Sequence, residues 1–189
     1  MLLGWNGTKP LADPMCGSGS FLLEGALLAR QQAPGLDRSF AFMNWPGYRE
    51  GLWNLLCSEA QRSAVDVPLA ISGADENPKA VIAAKANCQR CGVDGQVMID
   101  QRRLSEQSIH DGRGLVVCNP PYGKRLDLGE NPERYYAELG RQLQRAYPGW
   151  QLAMLCSNPS LVKVTALPFK QIASLDNGGL NVGLFATVS

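Results

Sequence analysis

Net charge, histidine and long apolar runs are all scarce in this sequence, and each scarcity excludes something. A formal net charge of +1 over 189 residues gives no global attraction for a polyanion, so contact with nucleic acid must come from local clusters or from a part of the protein not present here. The single histidine, His110, lies in a polar Ser-Ile-His-Asp-Gly stretch that suits a loop better than a catalytic base. No apolar run nears the length that crosses a bilayer, and the start, Met1-Leu2-Leu3-Gly4-Trp5-Asn6, lacks the charged and long apolar parts of a signal peptide. A cytoplasmic protein without membrane contact is expected. The cysteines (Cys16, Cys57, Cys88, Cys91, Cys118, Cys156) are scattered, which suits reduced, partly buried thiols better than a disulfide framework. Cys88 and Cys91 have C-x-x-C spacing, but with no second pair they read as packing residues, and no metal is expected. Internal repeats and low-complexity tracts are absent.

What the chain does have is alternation. With 45% hydrophobic and 19% charged residues it fits one domain spanning 1–189, and apolar strand-like runs alternate with helix-like stretches almost end to end. The pattern predicts a doubly wound, Rossmann-like α/β fold with a mostly parallel sheet. Strands are expected at 10–13, 69–73, 96–99, 115–118 and 151–156, with helices at 20–31, 78–90 and 132–147. In the first helix Phe21, Leu22, Leu23, Leu27 and Leu28 are the apolar positions, and Asn77 before Pro78 suits a helix start. The segments 170–175 and 180–188 flank Asp176-Asn177-Gly178-Gly179, a turn sequence that predicts a C-terminal antiparallel hairpin. Between the first helix and the second strand, an insertion at about 33–66 gathers Phe40, Phe42, Trp45, Tyr48 and Trp53. Interleaved with Arg38 and Arg49, these rings could stack on bases, but a long insertion more often packs its own small core.

Asp13-Pro14-Met15-Cys16-Gly17-Ser18-Gly19 follows the first strand and opens a helix, where an open α/β sheet holds its ligand. Gly17, Ser18 and Gly19 let the backbone approach a ligand closely, and the helix start offers N–H groups to a carboxylate or phosphate. A phosphate loop would need a lysine and a dinucleotide loop a third glycine; neither is present. An acid before the loop can pair with an ammonium while the helix end receives a carboxylate, which describes the amino-acid end of S-adenosyl-L-methionine. Asp75, after Gly73-Ala74, can accept both hydroxyls of a ribose. Asp100, at the end of the third strand, could accept from an adenine amino group. Each acid alone could equally cap a loop or helix.

Asn119-Pro120-Pro121-Tyr122 ends the apolar run 115–118. Alone it would read as a strand with a proline-rich turn. With the acids it reads as a pocket for a planar amino group: an amide side chain and the Pro120 carbonyl accept from one NH2, the prolines stiffen the backbone, and Tyr122 stacks on the heterocycle. Lys124 and Arg125 follow as phosphate contacts or as a solvated loop. Arg102 and Arg103 read as surface.

These motifs, with Gly123-Lys124-Arg125-Leu126 extending the second, resemble the catalytic domain of the THUMP-associated RNA guanine-N2 methyltransferases, in particular the branch acting on bacterial 23S ribosomal RNA. The resemblance covers nearly the whole chain and implies a class I S-adenosylmethionine-dependent methyltransferase. It places Asp13, Cys16, Gly17, Ser18 and Gly19 around the methionine end, Asp75 on the ribose, Asp100 near adenine, and Asn119 between cofactor and target base. Asn119, Pro120 and Tyr122 are then catalytic, and Pro121, Tyr122, Lys124 and Arg125 hold the substrate. In many relatives an apolar residue follows the ribose acid; here it is Glu76. Such enzymes carry a THUMP-type RNA-binding region before the domain, expected here in cis or in trans. The alternatives are adenine-N6 methylation of nucleic acid, and a truncated domain that binds S-adenosylmethionine without independent turnover.

Overall fold

The computed structural model describes residues 2–36, 38–121, 131–177 and 179–187. Among them, β1 (Leu11–Asp13), β2 (Ile71–Asp75), β3 (Val97–Gln101), β4 (Leu115–Cys118), β5 (Gln151–Cys156), β6 (Phe169–Asn177) and β7 (Leu180–Thr187) form one sheet in the order β3-β2-β1-β4-β5-β7-β6. The strands from β3 to β5 are parallel, while β7 runs antiparallel to both β5 and β6. This is the doubly wound sheet with a C-terminal hairpin that the alternation predicts.

Period-two burial divides the core between the two faces of the sheet. Leu11, Ile71, Val97, Ile99, Leu115 and Val117 pack with α1 (Ser20–Ala29) and α3 (Pro78–Arg90) through Leu22, Ala26, Val81, Ala84 and Cys88. On the other face Ala12, Val116, Cys118, Leu152, Met154 and Cys156 pack with α4 (Pro132–Ala146) and α5 (Pro159–Val164). Of the apolar positions expected for α1, Leu22 is fully buried and Phe21 and Leu23 pack against the core, while the buried face also includes Gly25 and Ala26. All six cysteines are free thiols, and Cys88 in α3 and Cys91 at its C-cap pack at the core.

Several boundaries also shift. Parallel pairing with β3 draws β2 two residues later than expected, so that Asp75 is its last residue, opposite Gln101. For the same reason β3 runs past Asp100, which sits opposite Ala74 instead of at the strand end. Within the insertion, Phe40, Phe42, Tyr48 and Trp53 pack on one another with ring centroids 5.2–6.1 Å apart, whereas Trp45 is 66% exposed. Trp53 belongs to α2 (Glu50–Ser63), a helix with no buried residue that the sequence pattern did not reveal. No helix among the described residues is long and apolar enough to cross a membrane.

Strand order reverses between β2-β1 and β4-β5, and the crevice this leaves at the carboxyl ends of the strands is where the functional motifs converge.

Candidate active site

The Asp13–Gly19 loop is fixed from several directions. Its Met15 amide donates to Asp13 Oδ1 at 3.1 Å, the Cys16 amide to the Ala74 carbonyl at 2.9 Å, and the Gly17 amide to Asp75 Oδ2 at 2.9 Å. From α3, Asn87 Nδ2 donates to the Ser18 carbonyl at 2.8 Å. Two glycines make this path possible. Gly17 and Gly19 have φ of +54° and +84°, and a Cβ on Gly19 would stand 3.2 Å from that of Ala84. The helix that follows starts without a side-chain cap, its first ladder bond running from Leu23 to Gly19, so its leading amides are open to an anionic group.

The acids that look alike in sequence are placed very differently. Asp13 is 2% exposed beneath the loop. Burial, opposed by the Met15 amide and assisted by the charge of Asp75, raises its carboxyl to a pKa of about 7. Asp75 lines the crevice and also accepts from the Asn77 amide at 2.9 Å. Asp100 does not line the crevice; its exposed side chain faces Arg102 at 3.8 Å. Cys16 contributes backbone, while its thiol packs in the core, where burial and then the charges of Asp13 and Asp75 push it to about 12.

Asp75, Gly17 and Asn119 line one cleft of about 760 Å³, within the size of small-molecule sites, roughly 300–1,000 Å³. Its far wall comes from residues the sequence reading passed over or set aside. After β3, Arg102 and Arg103 stay on the surface as expected but border the cleft, and Arg103, its side chain 69% exposed, meets Glu76 Oε2 with its Nε at 3.4 Å. From α4 come Tyr135, Glu138, Leu139 and Gln142. Glu138 is held by Gln142 and by Arg141, which in that order lower its pKa. Only the i, i+4 spacing of Glu138 and Gln142 could have suggested them, and it is common on solvated helices.

At the end of β4, Asn119 lines the cleft, yet its Oδ1 is buried and has no hydrogen-bond partner among the described residues. Pro120 is fully buried behind it. The Pro121 carbonyl accepts from Tyr136 Oη at 3.4 Å, and that hydroxyl also lies 3.4 Å from Cys156 Sγ. Tyr136 is itself fully buried, so α4 anchors the turn from inside the core. Tyr122, Lys124 and Arg125 lie outside the described residues.

The match between chain and family is broad. Residues 1–182 match the family described as RMKL-like, methyltransferase domain. The chain belongs to this family. It is 40% identical over 186 residues to the ribosomal RNA large subunit methyltransferase K/L of Chromohalobacter salexigens, covering 93% of this chain and 25% of that protein. The protein of the same name from Allochromatium vinosum is 40% identical over 184 residues, with the same coverage. Among solved structures, the methyltransferase SMU.472 in complex with SAH superposes with a TM-score of 0.89 at 32% identity, over 98% of this chain and 49% of that one. A Listeria monocytogenes structure described as a predicted N6-adenine-specific DNA methylase gives a TM-score of 0.83 at 29% identity, over 98% of this chain and 48% of that one. The RMKL-like methyltransferase domain thus spans about a quarter of the length of these curated relatives and about half of these solved chains.

Proposed function

We propose that this domain transfers a methyl group from S-adenosylmethionine to the exocyclic N2 of a guanine in 23S ribosomal RNA, in the cytoplasm. The observation that carries the reading is Asn119 Oδ1: a buried acceptor without a donor, at the cleft, at the strand end where the family motif stands. Leaving such an atom unpaired costs roughly 1–3 kcal/mol, a cost removed when a ligand amine donates to it.

The residues fit the methyl donor. The open amides at the start of α1 and the close backbone approach at Gly17 suit its carboxylate, with Ser18 and Gly19 shaping the loop and Asp13 and Cys16 supporting it from below. Asp75, which spends one bond on each of the Gly17 and Asn77 amides, keeps lone pairs for ribose hydroxyls. That the neighbour SMU.472 was crystallised with SAH supports the choice of methyl donor. When bound, the donor supplies a methyl group on a sulfonium, which is already electrophilic. What this chain must add is orientation and exclusion of water.

Asn119 and the backbone of Pro120 direct the amine and favour the positive charge that develops on its nitrogen, and Pro121 and Tyr122 hold the flipped base. The nitrogen–carbon bond would form as the sulfur–carbon bond breaks, its electron pair staying on a neutral thioether that leaves, and the nitrogen would then release a proton to solvent. Lys124 and Arg125 contact phosphate close to the base. Docking of the RNA uses a THUMP-type region supplied in cis or in trans.

Nucleoside analysis of 23S ribosomal RNA after reaction tests the assignment, with N2-methylguanine as the expected product. Since the adenine amino group presents the same geometry and one structural neighbour is described as an adenine methylase, N6-methyladenine as the sole product would reverse it. Tight SAH binding with neither RNA affinity nor methyl incorporation would instead reduce the domain to a binding module.

A further inference from the structure

The chain contains four Asn-Pro dipeptides, at 77–78, 119–120, 131–132 and 158–159. Three of them start helices and satisfy the asparagine in the same way. Asn77 Oδ1 accepts from the Lys79 amide at 3.0 Å, Asn131 Oδ1 from the Glu133 amide at 3.0 Å, and Asn158 Oδ1 from the Ser160 amide at 3.0 Å. In each case this bond comes from the N–H two residues on, the local trap for an asparagine oxygen, and Asn131 accepts a second, longer one, at 3.3 Å, from the Arg134 amide. Asn119 is the exception, and its sequence supplies the reason. Two residues on stands Pro121, which has no N–H to give.

We propose that Pro121 is a positioning residue that acts by withholding a donor: it keeps Asn119 Oδ1 out of the bond its three counterparts make, so that the oxygen stays available for the substrate amine. This deepens the proposed function and rests on it for the identity of the amine. The rest of Pro121 is fixed independently, because Tyr136 Oη donates to its carbonyl. Restoring an N–H at this position, with the carbonyl still anchored, therefore gives Asn119 an internal partner that competes with substrate.

Pro121→Ala tests the idea. The residue-121 amide should be protected from hydrogen exchange in the free protein, and turnover should fall about tenfold, a hydrogen bond's worth of competition. SAH affinity should stay within about twofold of the parent. N-methylalanine at the same position, which again lacks the N–H, should restore most of the turnover, a rescue that a purely structural proline would not show. The proposal is overturned if the new amide exchanges freely, if turnover is unchanged, or if N-methylalanine is as slow as alanine. A parent protein that binds SAH but methylates no nucleic acid overturns the proposed function, and with it the role given to Pro121. A parent that methylates RNA while the alanine variant keeps full rate overturns the role of Pro121 alone.

Discussion

The two halves of the cleft treat their polar groups in opposite ways. At the ends of β1 and β2, Asp75 accepts from two backbone amides, Asp13 from a third, and Asn87 donates to the loop from α3. At the end of β4, Asn119 Oδ1 accepts from no described residue. The first half is stiff and largely satisfied before any ligand arrives, which limits the ordering cost of binding. The second stores an unmet hydrogen bond where chemistry is proposed, so that the bond forms only with substrate in place. Binding and turnover should accordingly fail separately when the halves are altered separately.

Asn119→Ala is the severest test of that separation. Turnover should drop about a thousandfold, the scale seen when one preorganised transition-state contact is removed. SAH affinity should change by less than about twofold, and thermal stability should not decrease, because the deleted oxygen had no partner to lose. A comparable loss of SAH affinity would show that the halves are not independent.

Asp13→Asn examines the satisfied half through pH. The folded-state pKa of Asp13 lies near 7 against an ordinary carboxyl value of 3.8, so between these pH values the folded protein holds a proton that the unfolded chain has released. Stability due to this group falls as pH rises from about 4 to about 7 and is level above, a change on the order of 4 kcal/mol. Asparagine keeps the acceptor for Met15 and removes the titration. Denaturant melts at pH 5 and pH 8 should show the parent losing about 2–3 kcal/mol more than the variant over this interval. His110, whose pKa is lowered first by burial and then by Arg102, contributes the opposite slope, but equally in both proteins. Parallel pH profiles would contradict the assigned burial.

Much of this architecture could be read from the sequence, for reasons that also explain the misreadings. The parallel strands are continuous apolar runs and the Asn-Pro helix starts are local signals, so α3 begins and ends at the expected residues 78 and 90. Pairing register is not local. Whether Asp100 ends β3 or lies within it depends on how far β2 extends beside it, and that ladder carried it away from the cleft. In the same way Arg102 and Arg103 are surface residues, as they read in sequence, but only the path of β3 shows that their stretch of surface borders the cleft. Helix α2 escaped because it lies inside an insertion whose aromatics drew attention to ring packing, although Leu52, Leu55 and Leu56 stand at helical spacing on it and stay exposed. Of the site, the backbone-shaping glycines and Asn119 were legible from motif alone. The α4 wall was not, since Tyr136 supports the turn through a hydroxyl whose partner is a carbonyl fifteen residues away.

Within the stiff half, Asp75→Ala should do less damage than Asn119→Ala does to turnover, but of a different kind. It strands the Gly17 and Asn77 amides, lowering stability by about 2 kcal/mol, and weakens SAH by about 30-fold through the loosened loop and the lost ribose acceptor. Turnover at saturating methyl donor should recover most of its parent value. Calorimetric titration with SAH beside steady-state kinetics separates the two effects; unaltered SAH affinity would remove Asp75 from the binding site.

Asp100→Ala should do almost nothing, and its silence is informative. In sequence Asp100 matches Asp75 in kind and in its place at a strand's end, and the family resemblance puts it near adenine. In the structure its carboxylate is 67% exposed, pairs among the described residues only with Arg102 at 3.8 Å, and is absent from the cleft lining. An exposed pair of this sort contributes about 0–1 kcal/mol, so SAH affinity should remain within about twofold of the parent while Asp75→Ala falls well outside that range. A tenfold or greater loss on Asp100→Ala would mean that the side chain turns to the ligand on binding, and that the end of β3 is less fixed than the end of β2 beside it.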